Sequence, residues 1–122
     1  DLNSFASIMK HHYRNSVVGG IVIVNLADRF KSPLRKDVTR HRNIYKLVDE
    51  TVQLFREIPR TPKEGDTGIE AVGVIVIDHT NISGDRTRLV TEPPAPQEGD
   101  VCHYQEFLRL MKEALEQRFL TR

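Results

Sequence analysis

The chain has 122 residues, of which 39% are hydrophobic and 29% charged, with a net charge of +1; these values exclude wholesale disorder and leave room for one domain, residues 1–122, but not for two. The single cysteine, Cys102, excludes an intrachain disulfide, and no apolar run approaches the ~20 residues that a membrane-spanning helix needs. We therefore expect a cytoplasmic protein, with the nucleus as the alternative, that does not enter the membrane.

The first predicted elements are a helix and a strand. The chain starts at Asp1 without an initiator methionine or a signal peptide, which suggests a domain excised from a longer, or processed, protein. Apolar residues then recur at three- and four-residue spacing over 3–14 and predict the first helix. The apolar, β-branched run 17–24 follows, and because it is continuous and does not alternate, it predicts a central strand buried on both faces.

A polar and basic segment, 25–36, separates this strand from the second predicted helix. The dipeptide Ser32-Pro33 has the residue types of an N-cap and a first helical position, so the helix is expected to begin there or at Asp37. Its amphipathic part is the apolar stripe over 44–58. Residues 59–68 contain two prolines and two glycines and predict a surface loop.

The second half of the chain predicts two strands and a helix. The apolar run 71–77 has the character of the first strand and predicts a second central one. A turn at 83–85 returns the chain into the shorter, alternating segment 87–91, which predicts an edge strand in a hairpin with the second strand. Asp100 is suited to cap a final amphipathic helix over 101–120.

The resulting order, α-β-α-β-β-α, predicts an α/β fold with three layers and a small mixed sheet. The first and second strands should be parallel and joined by a right-handed crossover. The second and third strands should form a hairpin. Because the two apolar strands have the sequence of buried strands, we expect the sheet to be extended by a second copy of the chain or by the rest of a longer protein.

Charge is divided unevenly along the chain. Residues 29–63 carry ten basic and four acidic residues, a sum of +6, whereas 64–122 carries six basic and eleven acidic residues, a sum of −5. Positive charge near a helix N-terminus opposes the helix dipole unless an anion binds there. The pattern predicts a site for the phosphate of a nucleic acid or a nucleotide, and its candidate residues are Arg29, Lys31, Ser32, Arg35, Lys36, Arg40 and Arg42. The alternative is a solvated loop that the acidic half neutralises.

Polar residues also follow the two apolar strands, where a parallel alignment would bring them to one edge of the sheet. Asp78 and His79 have the chemistry of an acid and a base in a hydrolase, with Asp28 or Arg29 facing them. The alternative is that Asp78 caps a turn and His79 lies on the surface. The five histidines have no recognised ligand spacing, so no metal site is predicted, and no cofactor is indicated.

Part of the chain resembles a known family. The run 20–25, then Arg29, Pro33 and Arg35, then 53–56, is similar to the strand–loop–helix that follows the catalytic core in restriction-endonuclease-like proteins. The catalytic part of that family, an acidic residue followed by E-x-K on a strand, is absent from both apolar strands. The resemblance therefore concerns the setting of this segment and implies no catalytic residue.

Three functions are compatible with the sequence. The leading hypothesis is a phosphate-binding module of a larger intracellular protein, which holds a nucleic acid or a nucleotide through residues 29–42. The second is a hydrolase or nuclease-like enzyme that uses Asp78 and His79. The third is a self-association domain, in which the apolar sheet and the uneven charge bring copies of the chain together.

Overall fold

The computed structural model describes residues 2–13, 15–60 and 68–120, and for residue 120 it describes the backbone alone. In chain order the elements are α1 (Leu2–His12), β1 (Gly19–Asn25), β2 (Arg29–Lys31), β3 (Val38–Arg40), α2 (Ile44–Glu57), β4 (Ala71–Asp78), β5 (Arg88–Leu89), α3 (Tyr104–Leu115) and a π-helical turn (Glu116–Leu120). The surface loop expected at 59–68 falls mostly on residues 61–67, which lie outside the described residues, as does Arg14 at the end of the first predicted helix.

β4 is the central strand of a three-stranded mixed sheet. It pairs in parallel with β1, with Gly19 opposite Ala71 and Asn25 opposite Ile77. It pairs antiparallel with β5, where Ile77 lies opposite Leu89. The predicted α/β class, the parallel alignment of the two apolar strands and the hairpin that follows them are therefore confirmed.

Two helices cover one face of the sheet. Val48 and Val52 of α2 belong to the same buried cluster as Val74 and Val76 of β4, and all four are at most 3% exposed. α1 packs on the adjoining part of this face through Ala6, which is fully buried. The valines of the parallel strands thus form the main core, as expected for apolar side chains at alternate positions of a strand.

α3 covers the opposite face of the sheet. A Cβ atom at Gly19 would lie 2.6 Å from Met111 Sδ and 2.8 Å from Phe107 Cε2, and one at Gly73 would lie 3.4 Å from Phe107 Cβ. The helix therefore rests almost directly on the backbone of β1 and β4. With α1 and α2 on the other face, the molecule has the three predicted layers.

β1 is an edge strand, which corrects the expectation that both apolar strands are buried on two faces. Among the described residues β4 is its one neighbour in the sheet, and Ile21 and Ile23 are 53% and 65% exposed. A sheet of three strands has a single interior strand, here β4. α3 does not shield the two isoleucines because its contacts fall on Gly19 and Gly73.

The second helix begins later than the sequence predicts. Residues 29–31 and 38–40 pair as an antiparallel hairpin, and α2 begins only at Ile44. The dipeptide Ser32-Pro33 belongs to the turn of this hairpin, where Ser32 Oγ accepts a hydrogen bond from Leu34 N–H at 3.2 Å. Serine and proline favour both helix starts and turns, so the local signal is the same for either structure.

The final helix has a different cap from the one predicted. His103 Nδ1 accepts a hydrogen bond from Gln105 N–H at 3.2 Å, so His103 and not Asp100 is the N-cap. Asp100 instead accepts from Cys102 N–H at 2.9 Å and shapes the preceding turn. The helix continues through the π-helical turn over most of the predicted 101–120. No helix among the described residues is both long and apolar enough to span a bilayer.

Candidate functional site

The β2–β3 hairpin is fixed at the carboxyl edge of the parallel strands. Lys31 N–H donates to Thr80 O at 2.8 Å, and Asn81 Nδ2 donates to Lys31 O at 2.7 Å, so the segment after β4 holds β2. His41 N–H donates to Asp28 O at 2.8 Å at the other end of the hairpin. The segments that follow both parallel strands therefore meet at one edge, as their alignment requires.

Asn25 joins the ends of the two parallel strands. Its Nδ2 donates to His79 O at 2.7 Å, and its Oδ1 accepts from His79 N–H at 3.1 Å and from Ala27 N–H at 3.0 Å. A side-chain amide can mimic the paired donor and acceptor of a peptide group. Asn25 thus continues the β ladder beyond the strands and holds the site in place.

Three cations share an exposed face of the hairpin. Arg29 lies opposite Arg40 in the register, and Lys31 lies on the same side two residues along β2. Phe30 and Thr39 occupy the alternate, partly buried positions. Like charges directly opposite each other destabilise a strand pair. A bound anion would relieve this repulsion.

Among the described residues, most basic side chains outside 29–42 form ion pairs with carboxylates, with Arg60 and Arg86 as exceptions, whereas the cations of 29–42 form none. Elsewhere among the described residues, ion pairs engage Lys10, Lys46, Arg56, Arg88, Arg109, Lys112 and Arg118. Within the segment, and with respect to the same described residues, no ion pair is formed by Arg29, Lys31, Arg35, Lys36, Arg40 or Arg42, all of which are exposed. Their charge is therefore presented to the solvent.

A polar cavity of about 590 Å³ lies between the hairpin and the start of α2. It is lined by Asp28, Arg40, His41, Arg42, Ile44 and Tyr45. α2 begins at this cavity with no acidic residue in its first turn and no side-chain cap. The positive end of the helix dipole therefore adds to the charge of the two arginines. This combination suits a phosphate group.

The candidate acid–base residues divide between two places at the same edge. Asp78 Oδ2 lies 3.7 Å from Arg88 Nη2, and His79 Nδ1 lies 2.8 Å from Thr87 Oγ1. Asp28, in contrast, lines the polar cavity. The structure therefore groups Asp28 with the predicted phosphate-binding residues, and groups Asp78 and His79 with the segment that leads into β5.

The carboxylate of Asp85 is affected by the charge of the hairpin. The hydrogen bond from Thr80 Oγ1 lowers the pKa of Asp85, and the backbone N–H of Arg86 and the charges of His79 and Arg29 lower it further. The electrostatic effect of Arg29 thus extends to the loop before β5. Phe30 links the same regions, since its ring centroid lies 6.2 Å from that of His79.

Sequence reasoning did not name three residues of this site as binding residues, although Leu34 and His41 lie within the predicted region 29–42. His41 and Tyr45 line the polar cavity, and Leu34 is 94% exposed near the end of the hairpin. The signal that could have predicted the two strands of the hairpin is a period of two in residue type over 29–31 and 38–40. Strands of three residues are too short for that period to be distinctive. Ser32, predicted to bind phosphate, uses its hydroxyl oxygen within the turn.

The site cannot be assigned by comparison with known proteins. Searches against known protein families, curated proteins and solved structures found no match to this chain. Among the described residues, no three histidine, cysteine, aspartate or glutamate side chains are grouped so that they could hold a metal ion. The function is therefore inferred from the geometry and charge of the site.

Proposed function

We propose that this domain binds the phosphate backbone of a nucleic acid through the β2–β3 hairpin and the start of α2. The observation that carries the proposal is the exposed face on which Arg29, Lys31 and Arg40 lie together without carboxylate partners among the described residues. Phosphate oxygens accept charge-assisted hydrogen bonds from such groups, and the release of counterions from the nucleic acid favours the complex.

The layout of the cations favours a polymer over a single nucleotide. They extend from Arg35 and Lys36 at the turn of the hairpin to Arg42 before α2. At ~3.3 Å per residue of strand, the path from Lys36 to Arg42, six residues further along the chain, spans on the order of 20 Å, which exceeds the reach of one phosphate group. A nucleotide in the polar cavity is the second candidate, supported by the helix N-terminus and Tyr45 at that cavity.

The test compares two variants with equal losses of charge. One replaces Arg29, Lys31 and Arg40 by glutamine; the control replaces Lys46, Arg109 and Lys112, three exposed cations that have ion-pair partners. Fluorescence anisotropy with a labelled duplex and a labelled single strand, at about 50 to 200 mM salt, gives log Kd against log salt concentration. We expect the slope to fall by about 2–3 in the hairpin variant and to stay the same in the control.

The same titrations contain the outcomes that contradict the proposal. Equal loss of affinity in both variants would mean that net charge, and not the hairpin, attracts the nucleic acid. Unchanged affinity in the hairpin variant would remove the site altogether. A mononucleotide that displaces the labelled strand at comparable concentrations of nucleotide and strand phosphate would favour the cavity alternative.

Hydrolysis by Asp78 and His79 stays a prediction, and one observation supports it. The segment that holds β2 begins directly after these residues, so a nucleic acid on the hairpin would lie close to them. Asp78→Asn and His79→Ala should then abolish cleavage of a bound strand while leaving its Kd unchanged. Absence of cleavage by the wild-type domain, with and without divalent metal, would exclude this function.

A further inference from the structure

β1 presents an unpaired backbone edge. Glu70 N–H donates to Val18 O at 2.9 Å, and Leu26 N–H donates to Ile77 O at 2.7 Å, so even-numbered residues bond toward the β4 side at both ends of β1. The backbone groups of successive residues in a strand point to opposite sides. The odd-numbered residues of β1 therefore direct their N–H and C=O groups away from the sheet, where the described residues provide no neighbouring strand.

Exposed apolar side chains accompany this edge. Ile21 and Ile23 lie on the face of the sheet that α3 covers at Gly19 and Gly73, and they are 53% and 65% exposed. α3 also exposes Leu108 and Leu115, by 58% and 46%, whereas Tyr104, 51% exposed, lines a pocket with Leu89 and Thr91 on the β5 side of the sheet. At on the order of 100 Å² each, the two isoleucines expose roughly 200 Å² of apolar surface along this edge.

The edge also lacks the features that prevent strands from pairing. No residue from Asn15 to Ala27 is charged, and none is a proline. Natural edge strands are usually protected by lysine, proline, a bulge or a covering segment. An unprotected edge with exposed isoleucines is therefore expected to be paired.

We propose that β1 pairs with β1 of a second copy of this chain, antiparallel about a two-fold axis at Val22. The strand is self-complementary about this residue, because Ile21 of one copy then lies opposite Ile23 of the other, and Gly19 lies opposite Asn25. These are the residues whose backbone groups point outward. The pairing joins two three-stranded sheets into one of six strands and packs the isoleucines of the two copies against each other. It uses none of the hairpin cations, so its test requires no nucleic acid.

Sedimentation equilibrium over a range of concentrations tests the dimer. Ile23→Lys places a charge in the paired region of both copies, so the dimer dissociation constant should rise at least tenfold. Leu54→Lys is the control, because Leu54 is 67% exposed on α2, on the other face of the sheet, and its replacement should leave the constant unchanged. Circular dichroism verifies that both variants are folded. A wild-type monomer at every concentration, or a dimer that Ile23→Lys does not weaken, would overturn the proposal.

Disulfide trapping tests the position of the axis without weakening the dimer. Val22 would face Val22 of the second copy in a non-hydrogen-bonded pair, with a Cα separation of ~4.5 Å that a disulfide can bridge. Val22→Cys should therefore cross-link rapidly under mild oxidation. Leu34→Cys, at a position that is 94% exposed and distant from the edge, should not, and the native Cys102 is fully buried. Equal cross-linking of the two variants would show that β1 does not pair in this register.

Discussion

Glycine at position 19 allows α3 to lie on the backbone of β1. The space that a Cβ atom would need is occupied by Met111 Sδ at 2.6 Å and by the Phe107 ring at 2.8 Å. At Gly73, which faces the same helix, the nearest atom is Phe107 Cβ at 3.4 Å. Two glycines on neighbouring strands thus differ in how closely the helix approaches them.

This difference predicts unequal effects of the same substitution. Gly19→Ala should lower the free energy of unfolding by about 1–3 kcal/mol, because the methyl group forces Phe107 and Met111 to move. Gly73→Ala is the matched control and should cost less, since its methyl group needs a shift of only a few tenths of an ångström. Urea denaturation of both variants measures the difference. Equal losses would mean that α3 does not pack more closely on β1 than on β4.

At the scale of elements, a charged pair joins the end of α2 to the segment before α3. Arg56 Nε lies 3.1 Å from Asp100 Oδ2, and Arg56 Nη2 lies 2.5 Å from the same oxygen. Burial by itself would raise the pKa of Asp100, but the hydrogen bonds from Arg56 and from Cys102 N–H outweigh it and lower the pKa. The carboxylate is therefore held in its charged form.

Asp100→Asn should lower the free energy of unfolding by about 1 kcal/mol at neutral pH, a modest value because Arg56 keeps contact with the solvent. A lowered pKa means that the folded chain binds this proton less readily than the unfolded chain. The stabilisation is therefore complete at neutral pH and is lost as the pH falls below about 4. Denaturation of both proteins across this range should show their stabilities converging in acid. Glu113→Gln, in an exposed pair with Arg109, is the control and should change stability little.

The sequence predicts most elements because burial determines their residue types. The valines of 71–77 face the core, and Phe107, Met111 and Ala114 of α3 are packed inside, so their spacing carries the period of a strand or a helix. The run 17–24 has the composition of a buried strand, yet Ile21 and Ile23 are exposed. Composition predicts that a strand will be covered, but it does not tell whether the covering segment belongs to the same chain.

The hairpin could not be predicted from the same signals. Its strands have three residues each, and the segment Ser32-Pro33 suits a turn as well as a helix start. The sequence does identify the basic residues of the site. It does not show that Arg29 lies opposite Arg40, because that depends on the register of the hairpin. Tyr45 enters the site only because α2 begins near the hairpin.

At the scale of the whole molecule, the two proposed surfaces lie on different parts of the fold. The hairpin is at the carboxyl edge of the sheet, whereas the dimer would form along the outer side of β1. In an antiparallel dimer, Asn25 of one copy would lie opposite Gly19 of the other. The Asn25 residues of the two copies would therefore be six residues apart along the paired strands. The two hairpins would then be at least ~20 Å apart, so that one nucleic acid could contact both and bind with higher avidity.

A buried group of three charges connects the two ends of the chain to the sheet. Glu70 Oε1 contacts Lys10 Nζ of α1 and lies 2.7 Å from Arg118 Nη1 of the π-helical turn. The three side chains are at most 3% exposed. Glu70 Oε2 also accepts from Val18 N–H at 2.7 Å, and Arg118 Nη1 donates to Ser16 O at 2.7 Å. One carboxylate therefore holds α1, the start of β1 and the last helical turn together.

Glu70→Gln should be among the most destabilising single substitutions in this chain. It keeps the shape of the side chain but leaves two buried cations without a counter-charge, so we expect a loss of about 3–5 kcal/mol in the free energy of unfolding. Lys10→Met is the matched variant, because it leaves Glu70 and Arg118 as a neutral pair and should cost clearly less. Chemical denaturation measures both. A loss for Lys10→Met as large as that for Glu70→Gln would show that the packing of α1, and not charge balance, makes this cluster important.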